Sequence, residues 1–291
     1  MSIALPRRRP KNKINKEPVG VYVFLTIVGI IMALPLYQLV ITAFKPLEEL
    51  FLFPPRYYVM NPTLENFTDL MAATSAAWVP FSRFLFNSVF ITFIVVALHV
   101  LFASMCAYAL AKSKAPGVVA LFNLSVAALM FSPHVTNIPR YLVINGLGMI
   151  DTYWALIIPP IGTAFGVFLM KQFLEQVPDA LIEASKIDGA SDWTIFRKVV
   201  LPLSRPAWST LTIFVWIATW NDAWGPMVYT RSEAMKTLPL AIQTLFSGVQ
   251  VVARQGANAA AALIQTAPTI IIFLLLQKRV IQTMAHSGIK S

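Results

Sequence analysis

The apolar positions of this chain fall in long blocks separated by short polar stretches. Val19 to Phe44 carries no charged residue, and Phe84 to Ala111 carries none apart from the titratable His99. Gly117 to Phe131 is shorter, but its uncharged stretch continues to Pro139. Thr152 to Met170 is bounded by Asp151 and Lys171, and Ala257 to Gln277 by Arg254 and Lys278. Ala207 to about Tyr229 holds a single acid, Asp222. A helix needs about 20 mostly apolar residues to cross a bilayer, so the pattern predicts six transmembrane helices. The fold class is therefore an all-α integral membrane protein, with a tail over 1–18, a membrane domain over 19–277 and a second tail over 278–291.

Composition supports this reading. Only 12% of the residues are charged and 57% are apolar, against about 25% charged in a soluble domain. The net charge of +10 would suit nucleic acid, but a nucleic-acid face needs soluble surface to display it, and none is expected here. The positive-inside bias explains the excess. With the N-terminus inside, 16 Lys and Arg fall in the expected cytoplasmic segments and 7 in the external ones, while the acids show no such bias. Both termini are thereby expected in the cytoplasm. The basic opening "MSIALPRRRPKNKINKE" precedes an apolar run too long for a signal peptide and without a small-residue cleavage site, so it reads as an uncleaved tail. Cys106, the one cysteine, lies in an apolar run and reads as a small buried hydrophobe. The three histidines and the cysteine show no metal-ligand spacing.

The external segment 45–83 mixes prolines, aromatics and acids and reads as short helices and turns near the surface. Tyr57, Tyr58, Tyr153 and Trp154 stand where aromatic belts form. Ala103, Ala107 and Ala111 make a small-residue stripe suited to close helix packing.

The longest cytoplasmic connection, 171–206, holds most of the polar chemistry. Pro178 and Asp179 suit a helix start, with Asp179 placed to cap free amides. Gly189 suits a left-handed helix end. Ser191 or Asp192 can cap a second helix, which Pro202 is expected to end. The product is a helix, a sharp turn and another helix. It could lie on lipid headgroups or insert into a groove on a partner protein. Acids outnumber bases in its first helix and turn, which favours the protein partner over a basic headgroup-binding face.

Glu183-Ala184-Ser185, Gly189, Val199 and Leu201-Pro202 resemble the loop signature of permease subunits of ABC importers. Ser185 and Val199 depart conservatively from the Ala and Ile of that signature. The stretches "ITAFKPLEELFLFPP", "NPTLENF", "WNDAWGPMVY", "KTLPLAIQTLFSG" and "QKRVIQTMAHSGIKS" are similar to the carbohydrate-uptake branch, the MalG-like subunits. The resemblance implies a type I importer permease fold and a place in the bacterial cytoplasmic membrane. It implies a second permease, an ATPase dimer, an external solute-binding protein and a sugar or oligosaccharide substrate. It implies that Glu183, Ala184, Ser185, Asp188 and Gly189 meet the ATPase, with Leu201 and Pro202 setting the angle of the second helix. No phosphate loop of the form GxxxxGK[ST] occurs, so the chain is expected to be non-catalytic. It would bind no cofactor, ATP and Mg being used by the partner. The flexible basic end "HSGIKS" could reach the ATPase or anionic lipid.

Within the membrane, Asp222 is the one acid in an apolar span, and such residues face a bundle interior or a watery cavity. Trp220, Asn221 and Trp224 flank it and offer hydrogen bonds and aromatic faces for a sugar; a structural pairing with the partner permease is the other reading. Pro159 and Pro160, with Gly162, interrupt the fourth span, and the carbonyls they free must face protein or water. Pro35 interrupts the first span in the same way. A transporter or channel acting alone is the competing function. It would usually show inverted repeats or several intramembrane ionisable residues.

Overall fold

The computed structural model describes residues 19–75, 78–247, 252 and 254–287. The expected tail 1–18 and the last residues 288–291 lie outside them. Every regular element among the described residues is helical. The chain opens with α1 (Val19–Phe44), which runs on through Pro35, and continues through α2 (Leu47–Leu50) and α3 (Glu65–Ser75) on the 45–83 segment. Next come the long α4 (Phe81–Lys112), then α5 (Val118–Ala128) and α6 (Pro133–Gly146). The pair α7 (Tyr153–Ile161) and α8 (Ala164–Leu174) forms one interrupted rod. The hairpin follows as α9 (Asp179–Ile187), α10 (Asp192–Ile195), a π-helical stretch Phe196–Val200, and α11 (Leu201–Leu203). The chain closes with α12 (Arg205–Trp220), α13 (Trp224–Tyr229), α14 (Leu238–Leu245) and α15 (Gln255–Ser287).

Among the described residues, four helical segments are long and apolar enough to cross a membrane: α1, α4, α7 with α8, and α15 as far as Lys278. Two of the six expected spans come out differently. The third shrinks to α5, whose 11 residues reach only about 17 Å against a core of about 30 Å. Pro133 ends the run by forcing Ser132 into an extended conformation (ψ 137°). The fifth divides into α12 and α13. The break falls at Asn221–Ala223, and Pro226, which has no N–H to bond the Asp222 carbonyl, contributes to it. The tail expected from Lys278 is, through Ser287, a continuation of α15.

Two apolar clusters hold the molecule together. One packs Ile91, Val95, Ala103 and Ala107 of α4 against Ala155 and Ile157 of α7, Met170 and Leu174 of α8, and Leu211 of α12. The other joins Phe81 and Phe84 of α4 with Leu70, Leu238, Ala260 and Trp220. Helix α4 belongs to both, and its small residues Ala103 and Ala107 are fully inside. Cys106, expected to be buried, is instead exposed on α4; it stands to one side of the Ala103–Ala107 stripe, which takes the buried face. Helix α5 buries nothing, and α1 buries only Ile41 to Ala43 at its end. Those apolar faces are what a membrane helix offers to lipid or to a neighbouring chain.

The 45–83 segment is tied to the membrane helices by buried polar groups. The Asn66 amide donates to the carbonyls of Ala43 (2.9 Å) and Lys45 (2.7 Å), which α1 leaves free at its end. The buried Glu49 accepts from the N–H groups of Met60 (3.1 Å) and Asn61 (3.0 Å).

Candidate functional site: the hairpin and the membrane cavity

The hairpin from Asp179 to Leu203 is built by local chemistry. Gly189 (φ 78°) closes α9. Its N–H donates to the Lys186 carbonyl and the Ala190 N–H to the Ser185 carbonyl, both at 3.0 Å, which is the Schellman arrangement. Ser191 caps the second arm by accepting from the Thr194 N–H at 3.3 Å. Lys186 and Asp192 pair across the turn at 3.2 Å. Asp179 does not cap: Pro178 holds the cap position, and Asp179 accepts a hydrogen bond from Lys112 Nζ at 2.7 Å. That bond, with the lysine charge, holds the Asp179 carboxyl below its ordinary value.

Pro202 does not end the second arm, as the sequence suggested. Its ring would strike the carbonyl four residues back in a regular α-helix. The turn before it widens instead to the π-helical stretch, with the Leu201 N–H donating to the Phe196 carbonyl, and the helix continues to Leu203 before breaking at Ser204. The Leu201 carbonyl is met by Trp208 Nε1 and by Ser204 Oγ, each at 3.2 Å. Ile195, Phe196 and Val200 anchor this arm in the first cluster.

What remains outward is the tip. Glu183, Ala184, Asp188 and Gly189 are exposed and Ser185 is half-buried, its hydroxyl bonded to the Leu181 carbonyl (2.7 Å). Among them stand three exposed apolar side chains: Leu181, Trp193, whose ring stacks on Phe196, and Ile187, the last 86% exposed.

In the membrane domain, a cavity of about 270 Å³ opens where two broken helices meet. Pro159, Pro160 and Thr163 line it from the α7–α8 break, and Asp222 and Trp224 from the α12–α13 break. The Pro160 carbonyl, freed by the interruption, accepts from His99 Nδ1 at 2.7 Å; a carbonyl only accepts, so this nitrogen carries the proton. Thr163 Oγ1 restarts the helix by accepting from the Gly166 N–H (3.3 Å). Asp222 Oδ1 accepts from the Gly225 N–H (3.0 Å) in the first turn of α13, whose cap position is held by Ala223.

Two of the expected pathway residues point elsewhere. Trp220 is buried, stacks on Trp216 and donates to the Gln265 carbonyl at 2.7 Å. Asn221 donates to the Ile217 carbonyl (2.9 Å) and accepts from Gln265 Nε2 (3.3 Å), on the α15 side rather than the cavity side. Helix periodicity fails at a break, so neighbours in sequence part company there. The cavity gains instead Arg140, Thr219 and Tyr229. Arg140 shares this lining with Asp222, although it stands in a segment that reads as an external loop. The one sequence signal for it is the amphipathic run "PHVTNIPRYLVING" that forms α6.

Near this cavity the chain is braced by Asp151, which adopts a left-handed conformation (φ 64°). Its backbone N–H donates to the Tyr229 carbonyl (2.8 Å). Its carboxylate accepts from the N–H groups of Arg231 and Ser232, both at 2.9 Å, and from the Ser232 hydroxyl. The hydroxyl bond, and then the two N–H bonds, hold this carboxyl below its ordinary value.

Residues 15–286 match the family described as the inner membrane component of binding-protein-dependent transport systems. The chain belongs to this family. It is a non-catalytic, membrane-embedded permease subunit of an ABC importer. Among its relatives, Protein LplC of Bacillus subtilis is 31% identical over 92% of each chain. The arabinooligosaccharides transport system permease protein AraQ of Halalkalibacterium halodurans is 30% identical over 90% of this chain and 93% of its own. The polygalacturonan/rhamnogalacturonan permease protein YtcP of B. subtilis is 32% identical over 79% of each. A solved bacterial ABC transporter involved in importing the acidic polysaccharide alginate contains a chain with TM-score 0.77 and 21% identity, matched over 94% of this permease and 99% of its own length. That likeness establishes the shared fold.

Proposed function

We propose that this permease forms, with a second permease subunit, the translocation pathway for a sugar or oligosaccharide. Its hairpin docks into a groove on a cytoplasmic ATPase dimer, and a solute-binding protein delivers the substrate from outside. Relatives named for arabinooligosaccharides, pectic polymers and trehalose support the substrate class. A solved alginate transporter in complex with its oligosaccharide-bound periplasmic protein supports the delivery step.

The observation that carries the docking role is the tip around Gly189. A rigid, capped turn exposes Ile187, Trp193 and Leu181 beside Glu183 and Asp188. Apolar anchors ringed by charge are what a protein groove recognises. Ala184 allows close approach, Gly189 makes the turn, and Leu201 and Pro202 set the second arm. This chain binds no cofactor in our reading; ATP and Mg serve the partner.

Both termini lie in the cytoplasm in this reading, and the chain crosses the membrane six times. The charge asymmetry supports the orientation. The third crossing is completed by residues beyond α5, and the fifth is shared by α12 and α13. In the transport pathway, Asp222, Trp224, Arg140, Pro159 and Pro160 border the cavity; Trp220 and Asn221 support the break from behind.

Tagged protein extracted from its native membrane should bring down a second permease and an ATPase. Gly189→Val should leave the chain in the membrane and abolish recovery of the ATPase or its coupling, because a β-branched residue cannot hold φ 78° without strain. Normal recovery with normal uptake would overturn the docking role. Solute movement driven by an ion gradient through the isolated chain in liposomes would overturn the importer itself.

A further inference from the structure

Helix α4 touches every working part of the molecule. At its cytoplasmic end it grips both arms of the hairpin. Lys112 Nζ, on a side chain only 10% exposed, donates to the Val177 carbonyl (2.6 Å) and to Asp179 Oδ1 (2.7 Å) at the start of the first arm. One turn earlier, the Tyr108 ring packs on Phe196 of the second arm, centroids 5.9 Å apart. Residues at i and i+4 share a helix face, so a single face of α4 holds the hairpin at two points. Phe196 opens the π-helical stretch, a feature that often marks a functional bend.

Midway, His99 holds the Pro160 carbonyl at the α7–α8 break that lines the cavity. Near its other end, the Asn87 amide donates to the carbonyls of Ala234 and Lys236, both at 2.8 Å, and Ser88 Oγ accepts from the Leu238 N–H at 2.7 Å. From Lys112 to Asn87 an α-helix spans about 37 Å. Side-chain hydrogen bonds at each station join hairpin, cavity and opposite loop to one stiff element. A contiguous, rigid connection of this sort is the physical requirement for carrying a displacement between distant sites.

We infer that α4 is the rod that carries movement of the hairpin to the cavity, and that Lys112 is the positioning residue that couples the two. The inference rests on the docking of the hairpin to the ATPase. When the ATPase moves the hairpin, the Lys112 ammonium, bonded at once to the Val177 carbonyl and the Asp179 carboxylate, makes α4 follow. Without it the hairpin turns about the remaining apolar contact at Phe196, and the rod lags.

The test uses the whole importer, purified from native membranes through a tag on this chain and placed in lipid nanodiscs. On a Cys106→Ser background, a bimane fluorophore is attached through Thr219→Cys, at the cavity wall. The signal of the same complex without Thr219→Cys is subtracted. The change on adding MgATP and vanadate is compared for the otherwise unaltered complex and for Lys112→Met, Lys112→Arg and Asp179→Ala. Lys112→Met should still recover the ATPase and hydrolyse ATP, yet its fluorescence response should fall about tenfold or more, since both hydrogen bonds from the Lys112 ammonium are lost. Lys112→Arg, which keeps a cation and donors, should restore most of the response. Asp179→Ala, altering only an exposed side chain, should weaken it and keeps the test open if Lys112→Met does not assemble. A full response in Asp179→Ala and in any assembled Lys112→Met complex would overturn the rod. No response in the otherwise unaltered complex would overturn the docking reading, and the rod with it.

Discussion

Asp151 illustrates how much a single residue can do outside the membrane core. Its carboxylate collects three hydrogen bonds from the 231–232 segment, and its carboxyl is held below the ordinary value chiefly by Ser232. A depressed carboxyl contributes stability that is present above its unfolded value and lost as pH falls through the folded one. The unfolding midpoint of the wild-type protein should therefore exceed that of Asp151→Asn at neutral pH, and the gap should close below the normal aspartate range. Asn tolerates positive φ and keeps one acceptor oxygen, so the comparison removes the charge and the second acceptor while sparing the backbone; a gap independent of pH would contradict the assignment. Gly225 makes the opposite case, a residue needed for what it lacks. An added Cβ would fall inside contact distance of Asp222 Oδ2. Gly225→Ala should turn the carboxylate away and forfeit its hydrogen bond to the first turn of α13, about 0.5–1.5 kcal/mol, read as a lower midpoint in thermal unfolding of the solubilised protein. The role of Gly189 was legible in the chain because helix ends obey local rules. The need for Gly225 was not, because it depends on how Asp222 turns at a break.

At the scale of elements, interruptions define the site. The prolines of α7 were visible in sequence, and so was the need to satisfy the carbonyls they free. That the partner is His99 came only with packing, since 61 residues separate it from Pro160. His99→Leu should leave the Pro160 carbonyl without its donor in a water-poor setting and cost about 1–3 kcal/mol; His99→Asn, whose amide can stand near Nδ1, should recover part of it. Equal unfolding midpoints for His99→Leu and wild type would count against this brace. The second hairpin arm teaches a similar lesson. Proline rules foresaw a stop at Pro202, but a wider turn upstream accommodates the ring and the helix passes through.

For the molecule as a whole, the six-span expectation meets four full-length helices, with one block shortened and one divided at a cavity. Six crossings with both ends inside make a direct forecast. On a Cys106→Ser background, Lys114→Cys should react with a membrane-impermeant maleimide only from the cytoplasmic side, and Ser232→Cys only from the external side. The reverse pattern, or labelling of both from one side, would refute the topology.

Hydrophobic block length, charge asymmetry and local cap chemistry by themselves determined that this chain is a helical membrane protein, that its hairpin turns at Gly189, and which family signature it carries. These are local properties, fixed by burial in lipid and by hydrogen bonds between near neighbours. Only the tertiary structure decided which side chains meet at the broken helices. It turned Trp220 and Asn221 away from the cavity, brought Arg140 toward Asp222, and set Lys112 against the base of the hairpin. Contacts between residues dozens of positions apart depend on how helices pack, and hydropathy does not encode that register.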